Sequence, residues 1–302
     1  MAKPQSLSKQ VGMLFGLMLL KGISYLPQSV GLEIGKVIGL LTYLFSRRRR
    51  QICETNLRLA FPELDLKKRD RLCRHVFMEN GRGIVETSWA WWALPQKFWD
   101  GLIVEGQEHL QAAQANPKGT LLIGGHFSAL DLGGLLFAKL SDRFSATYRP
   151  HNSQILEKEI QRGRRRFMDL IDRDDVRTLF RTLDQGKTVW FAPDQDLGRT
   201  RSVFAPFFGI TAATNPGLQK LAKRGATPLV IGFHRNRDGN YRVQFLPWEG
   251  LAAEQDPIEF TTVMNKLLEQ LIRKDPAQYM WMHRRFKTRP EGEKNLYSRV
   301  VR

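Results

Sequence analysis

The run Leu121-Leu122-Ile123-Gly124-Gly125-His126-Phe127-Ser128-Ala129-Leu130-Asp131 carries the densest chemistry in the chain. An apolar stretch ends in two glycines, a histidine follows, and an aspartate stands five positions beyond it. Imidazole takes and gives a proton near neutral pH. A carboxylate on one ring nitrogen fixes the tautomer and raises the basicity of the other. The two together would form a general base for a substrate hydroxyl. Spacing imposes a condition, because five helical residues turn through roughly 500° and would point about 140° apart. His126 and Asp131 can meet only if His126 lies in the loop before a helix and Asp131 in its first turns. The glycines permit a sharp exit from the strand, and Ser128 suits an N-cap. The bland alternative is a hydrogen-bonded structural histidine.

Other chemistries find less support. No G-x-S-x-G elbow occurs, so His126 has no evident enzyme nucleophile to serve. H-E-x-x-H is absent, and His75, His109, His151, His234 and His283 lack ligand spacing, so no metal is expected. Gly198 and Gly209 sit near turns, but no Walker or G-x-G-x-x-G pattern surrounds them, so no nucleotide cofactor is expected either. Cys53 and Cys73 are too few for a disulfide framework. They read as small buried residues in a reducing compartment.

The elements that would position His126 follow from periodicity. Thr120–Ile123, Thr188–Phe191, Pro228–Phe233 and Tyr241–Phe245 read as strands. Segments 129–140, 154–170, 174–185, 214–224 and 258–274 read as helices. This alternation argues for an α/β domain, a sheet covered by helices. Residues 51–93 read mainly as helix with a break at Phe61-Pro62. Trp89, Trp91, Trp92 and Trp99 crowd a short window, fitting an acyl pocket, a membrane interface or plain core packing.

The N-terminus has a different composition. Val11 to Leu20 is unbroken apolar or glycine, follows Lys3 and Lys9, and continues weakly to Leu26 before Pro27. It is slightly short for a span, and no small-x-small cleavage site follows. It reads as a membrane anchor, spanning or interfacial. Residues 29–46 follow with Val30, Ile34, Val37, Ile38, Leu41, Leu44 and Phe45 at helical spacing. Arg47 to Arg50 then fit the cytoplasmic, positive side of a membrane. The expected organisation is an anchor and amphipathic helix over 1–46 and one α/β domain over 47–302.

The chain has 302 residues, of which 42% are hydrophobic, enough to bury a sizeable core. Forty-seven basic against 30 acidic side chains give a net charge of +17. That excess calls for an anionic partner: nucleic acid, an anionic membrane, or a phosphorylated or carboxylated substrate. Arg162, Arg164, Arg165 and Arg166 form the densest internal cluster. Arg199 with Arg201, and Arg284, Arg285, Lys287 and Arg289, form others, though most such side chains are ordinary solvated surface.

Several stretches resemble the bacterial late (secondary) acyltransferases of lipid A biosynthesis. They are Asn56-Leu57-Arg58-Leu59-Ala60-Phe61-Pro62-Glu63, Gly124-Gly125-His126-Phe127, Tyr148-Arg149-Pro150, Val189 to Asp194, Ser202-Val203-Phe204, Gln278-Tyr279-Met280-Trp281 and the tail His283 to Gly292. The similarity runs over nearly the whole chain. It implies a mixed, largely parallel central sheet flanked by helices, of the glycerolipid-acyltransferase kind, with an N-terminal membrane-anchoring helix. It also implies catalytic roles for His126 and Asp131. Arg164 and Asp194 fall on the family's required arginine and aspartate, and Arg149 is a weaker substrate-binding candidate. Two departures stand out. Asp131 replaces the Glu of several lauroyl-type members. Gln195 replaces a His, so Pro193-Asp194-Gln195-Asp196 looks more like the myristoyl type.

What the resemblance implies is transfer of a fatty acyl chain from acyl carrier protein, lauroyl-like or else myristoyl. The acceptor would be a hydroxyacyl 3-hydroxyl of the Kdo-bearing lipid A precursor, on the cytoplasmic face of the inner membrane. His126 would take the hydroxyl proton, Asp131 would stabilise the imidazolium, and Arg164 would meet the oxyanion or a substrate phosphate. Asp194 would organise the site through hydrogen bonds or a salt bridge to an arginine. Another glycolipid or lysophospholipid acyltransferase with the same His-Asp dyad is the alternative. A basic membrane-surface or nucleic-acid-binding protein without catalysis is the alternative from a different class. No nucleic-acid motif occurs, so no nucleic-acid partner is expected.

Overall fold

Pro27, Phe61-Pro62 and the glycines beyond residue 100 punctuate the apolar periodicity. The chain accordingly divides into an N-terminal helical part and an α/β part. The computed structural model describes residues 6–93, 95–142, 144–298 and 300. Lys3, which precedes the first apolar run, lies outside them.

Helices α1 (Leu7–Ile23), α2 (Gln28–Phe45), α3 (Arg47–Ala60) and α4 (Leu66–Trp92) come first. The Asp65 carboxylate caps α4 by accepting from the Lys68 N–H at 2.7 Å. Helix α1 buries none of its residues; Val11, Phe15, Met18 and Leu19 are exposed. Helix α2 turns a glycine stripe, Gly31, Gly35 and Gly39, onto α4. The backbones nearly touch: a Cβ on Gly81 of α4 would stand 2.2 Å from the Gly35 carbonyl oxygen. The apolar stripe expected along α2 therefore faces outward, with Val30, Val37, Leu41, Leu44 and Phe45 exposed. Arg47, Arg48 and Arg49 are exposed at the start of α3. Among the described residues no single helix is long and apolar enough to cross a membrane. Helices α2 and α3 together reach that length but bend by 95° between them.

The α/β part runs β1 (Ile103–Glu105), α5 (Gln107–Gln114), β2 (Thr120–Gly124), α6 (Leu130–Phe137), β3 (Phe144–Tyr148), α7 (Gln154–Arg164), β4 (Met168–Asp172), α8 (Val176–Asp184) and β5 (Thr188–Phe191). It continues with β6 (Val203–Phe207), β7 (Ile210–Thr214), α9 (Gly217–Lys223), β8 (Thr227–Arg235), β9 (Tyr241–Pro247) and α10 (Pro257–Lys274). The main sheet has the order β1-β9-β8-β2-β5-β3-β4. Its neighbours are parallel except for the β8–β9 hairpin. This is the mixed, largely parallel sheet that the resemblance implies. Strands β6 and β7 form a separate antiparallel pair.

Helices cover both faces, and β2 alternates between two cores as a strand must. Leu121 and Ile123 pack with Leu57, Val230 and Leu268. Leu122 packs on the other side with Trp89, Leu136 and Trp190. Cys53 and Cys73 are buried and unpaired as thiols. Trp89 sits in the core against Phe98 rather than in a cavity wall.

Two expected helices are corrected. The one over 154–170 stops at Arg164, because Met168 enters the sheet as β4 beside β3. The one over 214–224 starts only at Gly217, because Thr214 closes β7 and Pro216 intervenes. Strands β1, β3, β4, β6 and β7 have three to five residues each and lack a clean apolar alternation. Their sequence signal is correspondingly weak.

Candidate active site

Strands β2 and β5 are parallel neighbours in which Ile123 lies level with Phe191. Three residues past each of these stand His126 and Asp194. Two equal extensions from the carboxyl ends of adjacent strands bring the pair together, where sheets of this kind place their sites.

The contact is direct. Nδ1 of His126 lies 2.6 Å from Oδ1 of Asp194. The other carboxylate oxygen accepts from the His126 backbone N–H at 2.8 Å and from the Tyr279 hydroxyl at 2.7 Å. The segment that carries Tyr279 is tied to the histidine loop. Met280 N–H donates to the His126 carbonyl at 3.0 Å, and Ser128 N–H donates to the Gln278 carbonyl at 2.7 Å.

Burial alone would favour a protonated Asp194. The facing imidazole and three donated hydrogen bonds outweigh it and hold the carboxyl well below the usual carboxylate range. Burial likewise works against charge on His126, but Asp194 outweighs it and leaves the imidazole pKa above its ordinary value. An ionised carboxylate only accepts, so in the neutral imidazole Nδ1 carries the proton and Nε2 the lone pair. Nε2 has no hydrogen-bond partner among the described residues. The side chain is 21% exposed while that of Asp194 is 1% exposed.

Asp131 does lie in the first turn of α6, and His126 in the loop before it, as expected. The expected hydrogen bond between them is corrected. The Asp131 carboxylate is buried and turns away, accepting from Arg164 Nε at 2.8 Å and from the Trp91 indole N–H at 3.1 Å. A buried carboxylate requires such partners, and the carboxyl ends of α4 and α7 supply them. Ser128 does not cap α6 either: Ala129 holds that position, and the buried Ser128 Oγ has no partner. The need for glycine at 124 comes from Trp190. A Cβ there would stand 2.5 Å from the Trp190 indole nitrogen.

Arg164 ends α7 beside Asp131. Arg149 is exposed just past β3. Arg166 serves the fold instead, donating to the Trp91 and Ala93 carbonyls. Buried Arg285 donates to the Ala213 carbonyl at 2.7 Å and to Thr214 Oγ1 at 2.6 Å. Its guanidinium acts electrostatically on Asp194 and Asp196. Sequence reasoning gave Tyr279 no role, took Arg285 only as part of a basic cluster, and read Trp91 only as an acyl-pocket, membrane-interface or core residue. The signal was there in Gln278-Tyr279-Met280-Trp281, but nothing in that run says it packs on the histidine loop.

A cleft of ≈ 320 Å³ runs beside the histidine loop, lined there by Phe127 and Ser128 rather than by His126 itself. Phe77 and Ile84 of α4 line one side; Phe127, Leu130, Asp131 and Arg164 line another. Most of its wall is apolar; Thr42, Asn80, Thr87 and Ser128 add polar points besides the Asp131–Arg164 pair. A smaller enclosed space of ≈ 10 Å³ lies by Asn56, His126, Asp194, His283 and Arg285. That is about the room one water needs.

This arrangement can deprotonate a hydroxyl, place a cation beside a developing negative charge, and hold an extended apolar chain. Comparison with known proteins bears on which reaction uses it. The model of the family described as bacterial lipid A biosynthesis acyltransferase matches residues 2–288. The chain is 38% identical over 288 residues to the lipid A biosynthesis palmitoleoyltransferase of Escherichia coli (strain K12), covering 94% of this chain and 93% of that one. It is 36% identical over 276 residues to the lipid A biosynthesis lauroyltransferase of the same organism, covering 90% of each. It is 34% identical over 286 residues to a lipid A biosynthesis acyltransferase of Haemophilus influenzae, covering 91% of this chain and 90% of the other.

Proposed function

The chain belongs to the bacterial lipid A biosynthesis acyltransferase family, and on that premise we propose that it moves a lauroyl-class acyl chain from acyl carrier protein to a hydroxyacyl 3-hydroxyl of the Kdo-bearing lipid A precursor. The observation that carries this reading is His126, held by Asp194 with Nε2 free, next to an apolar cleft that Arg164 overlooks.

Nε2 takes the proton of the acceptor hydroxyl as its oxygen attacks the thioester carbonyl. Asp194 stabilises the imidazolium that forms. Arg164, steadied by Asp131, faces the oxyanion or an acceptor phosphate; a guanidinium suits either. The imidazolium then protonates the departing thiolate, and His126 returns to its starting state. The acyl chain lies along the cleft between α4 and the histidine loop. Arg149 contributes from the exposed rim beyond β3.

Residues 1–46 act as the membrane-contacting unit on the cytoplasmic face of the inner membrane. The outward side chains of α1 and α2 enter the lipid, and Arg47–Arg49 meet its anionic surface. Residues 47–302 form the catalytic domain. The positive charge steers an acidic carrier protein and an anionic glycolipid toward the site.

The test uses purified protein in detergent with acyl carrier protein carrying C10 to C16 chains. The tetraacyl Kdo-bearing precursor is the acceptor, and products are read by mass spectrometry. A gain of one acyl group, greatest near C12, is expected. Gain only with an already pentaacylated acceptor would move the enzyme one step later. Gain only with a lysophospholipid would overturn the acceptor assignment.

A further inference from the structure

We propose that Trp91 is a positioning residue that aims Arg164 by holding the Asp131 carboxylate. The inference rests on the role just given to Arg164. The Trp91 indole N–H donates to Asp131 Oδ2 at 3.1 Å, and Arg164 Nε donates to Oδ1 at 2.8 Å. One carboxylate therefore joins the indole to the guanidinium, a side chain otherwise rich in rotamers. With Nε engaged, the terminal nitrogens of Arg164 have no hydrogen-bond partner among the described residues. Arg164 and Asp131 both line the cleft.

Trp91 is itself held from two further directions, by the last turn of α7 and by the segment just after it. The Arg166 guanidinium donates to the carbonyls of Trp91 and Ala93. Gly163 lies flat against the indole, so that a Cβ there would stand 2.3 Å from the ring's Cγ. Only glycine at 163 allows α7 to approach this closely. The residues flanking Arg164 thus fix the tryptophan, and the tryptophan through Asp131 fixes Arg164. This is a closed loop of contacts between α4, α6 and α7 with a single polar exit, the guanidinium. Plain core packing would account for the burial of the ring but not for the aim of its one N–H donor at a buried carboxylate.

Trp91→Phe keeps the ring and removes the donor. Its kcat should fall about tenfold or more, as for loss of a hydrogen bond to a charged group. In an Arg164→Lys background the same substitution should change kcat less than twofold, because the lysine lacks the Nε that Asp131 holds. An equal fall in both backgrounds, or wild-type kcat for Trp91→Phe alone, would overturn the proposal. A second measurement leaves the tryptophan intact. The Trp91 indole ¹⁵N–¹H resonance, assigned by its loss in a Trp91 variant or from selectively labelled protein, should move in Asp131→Asn. An unchanged resonance overturns the proposal even if Trp91→Phe does not fold. This second arm needs no turnover, so it stands apart from failure of the proposed acyl transfer.

Discussion

Asp194 Oδ1 sits 2.6 Å from His126 Nδ1, although 68 positions separate the two residues. Asp131, five positions from His126, gives both of its carboxylate oxygens to Arg164 and Trp91 instead. Two buried aspartates thus divide the work: one sets the tautomer of the imidazole and the other sets the place of a cation.

Removing the base gives the first prediction. His126→Ala should lower kcat by about 10²–10⁴, the usual worth of general-base action. The fold should persist, since Asp194 keeps Tyr279 as a donor. Turnover near wild type in a folded His126→Ala protein would remove His126 from the mechanism.

Asp131 and Arg164 should behave as one unit. Asp131→Asn and Arg164→Lys each break the contact between Oδ1 and Nε, which joins a buried carboxylate to a partly exposed guanidinium. We expect each to reduce turnover at least tenfold and the double variant to be little worse than either alone. A double loss equal to the product of the single losses would mean independent roles.

The outward apolar faces of α1 and α2 predict vesicle binding. Phe15→Asp together with Met18→Asp should abolish co-flotation with anionic liposomes. Replacing Arg47, Arg48 and Arg49 with Gln should weaken it and reduce its dependence on salt. Co-flotation of the Asp variant at the wild-type level would contradict the membrane role of α1.

The contact of α2 with α4 predicts a stability effect. Gly81→Ala puts a Cβ 2.2 Å from the Gly35 carbonyl oxygen. Backbone cannot yield as a side chain does, so a loss of about 1–3 kcal/mol is expected in denaturant unfolding. Unchanged stability would show that the two helices separate easily.

The sequence made the longer elements legible. Strands β2, β5, β8 and β9 and helix α10 were expected within a few residues, because apolar runs of sufficient length mark them. The short strands β3 and β4 were not, since Phe144–Tyr148 and Met168–Asp172 mix polar and apolar residues. His126 was legible from its Gly-Gly strand exit and the resemblance. Asp194 was legible as a site residue from the resemblance but not as the partner of His126, because the two become neighbours only through the adjacency of β2 and β5. Local spacing favoured Asp131, and a motif read along the chain cannot show a carboxylate turning toward a helix end. The outward stripe of α2 has a similar lesson. Amphipathic spacing locates an apolar face, while the glycines at 31, 35 and 39 decide which face meets the protein.

The most direct test of the His126–Asp194 pairing is the pH dependence of kcat/KM for wild type, Asp194→Asn and Asp131→Asn. The base works only when neutral, so activity rises with pH through the imidazole pKa. Asp194 holds that pKa above its ordinary value, so the wild-type acid limb should lie above about 6.5. Asp194→Asn should move the limb to lower pH and lower the plateau. Asp131→Asn should lower the plateau and leave the limb in place. A limb that shifts in Asp131→Asn and stays fixed in Asp194→Asn would contradict the account.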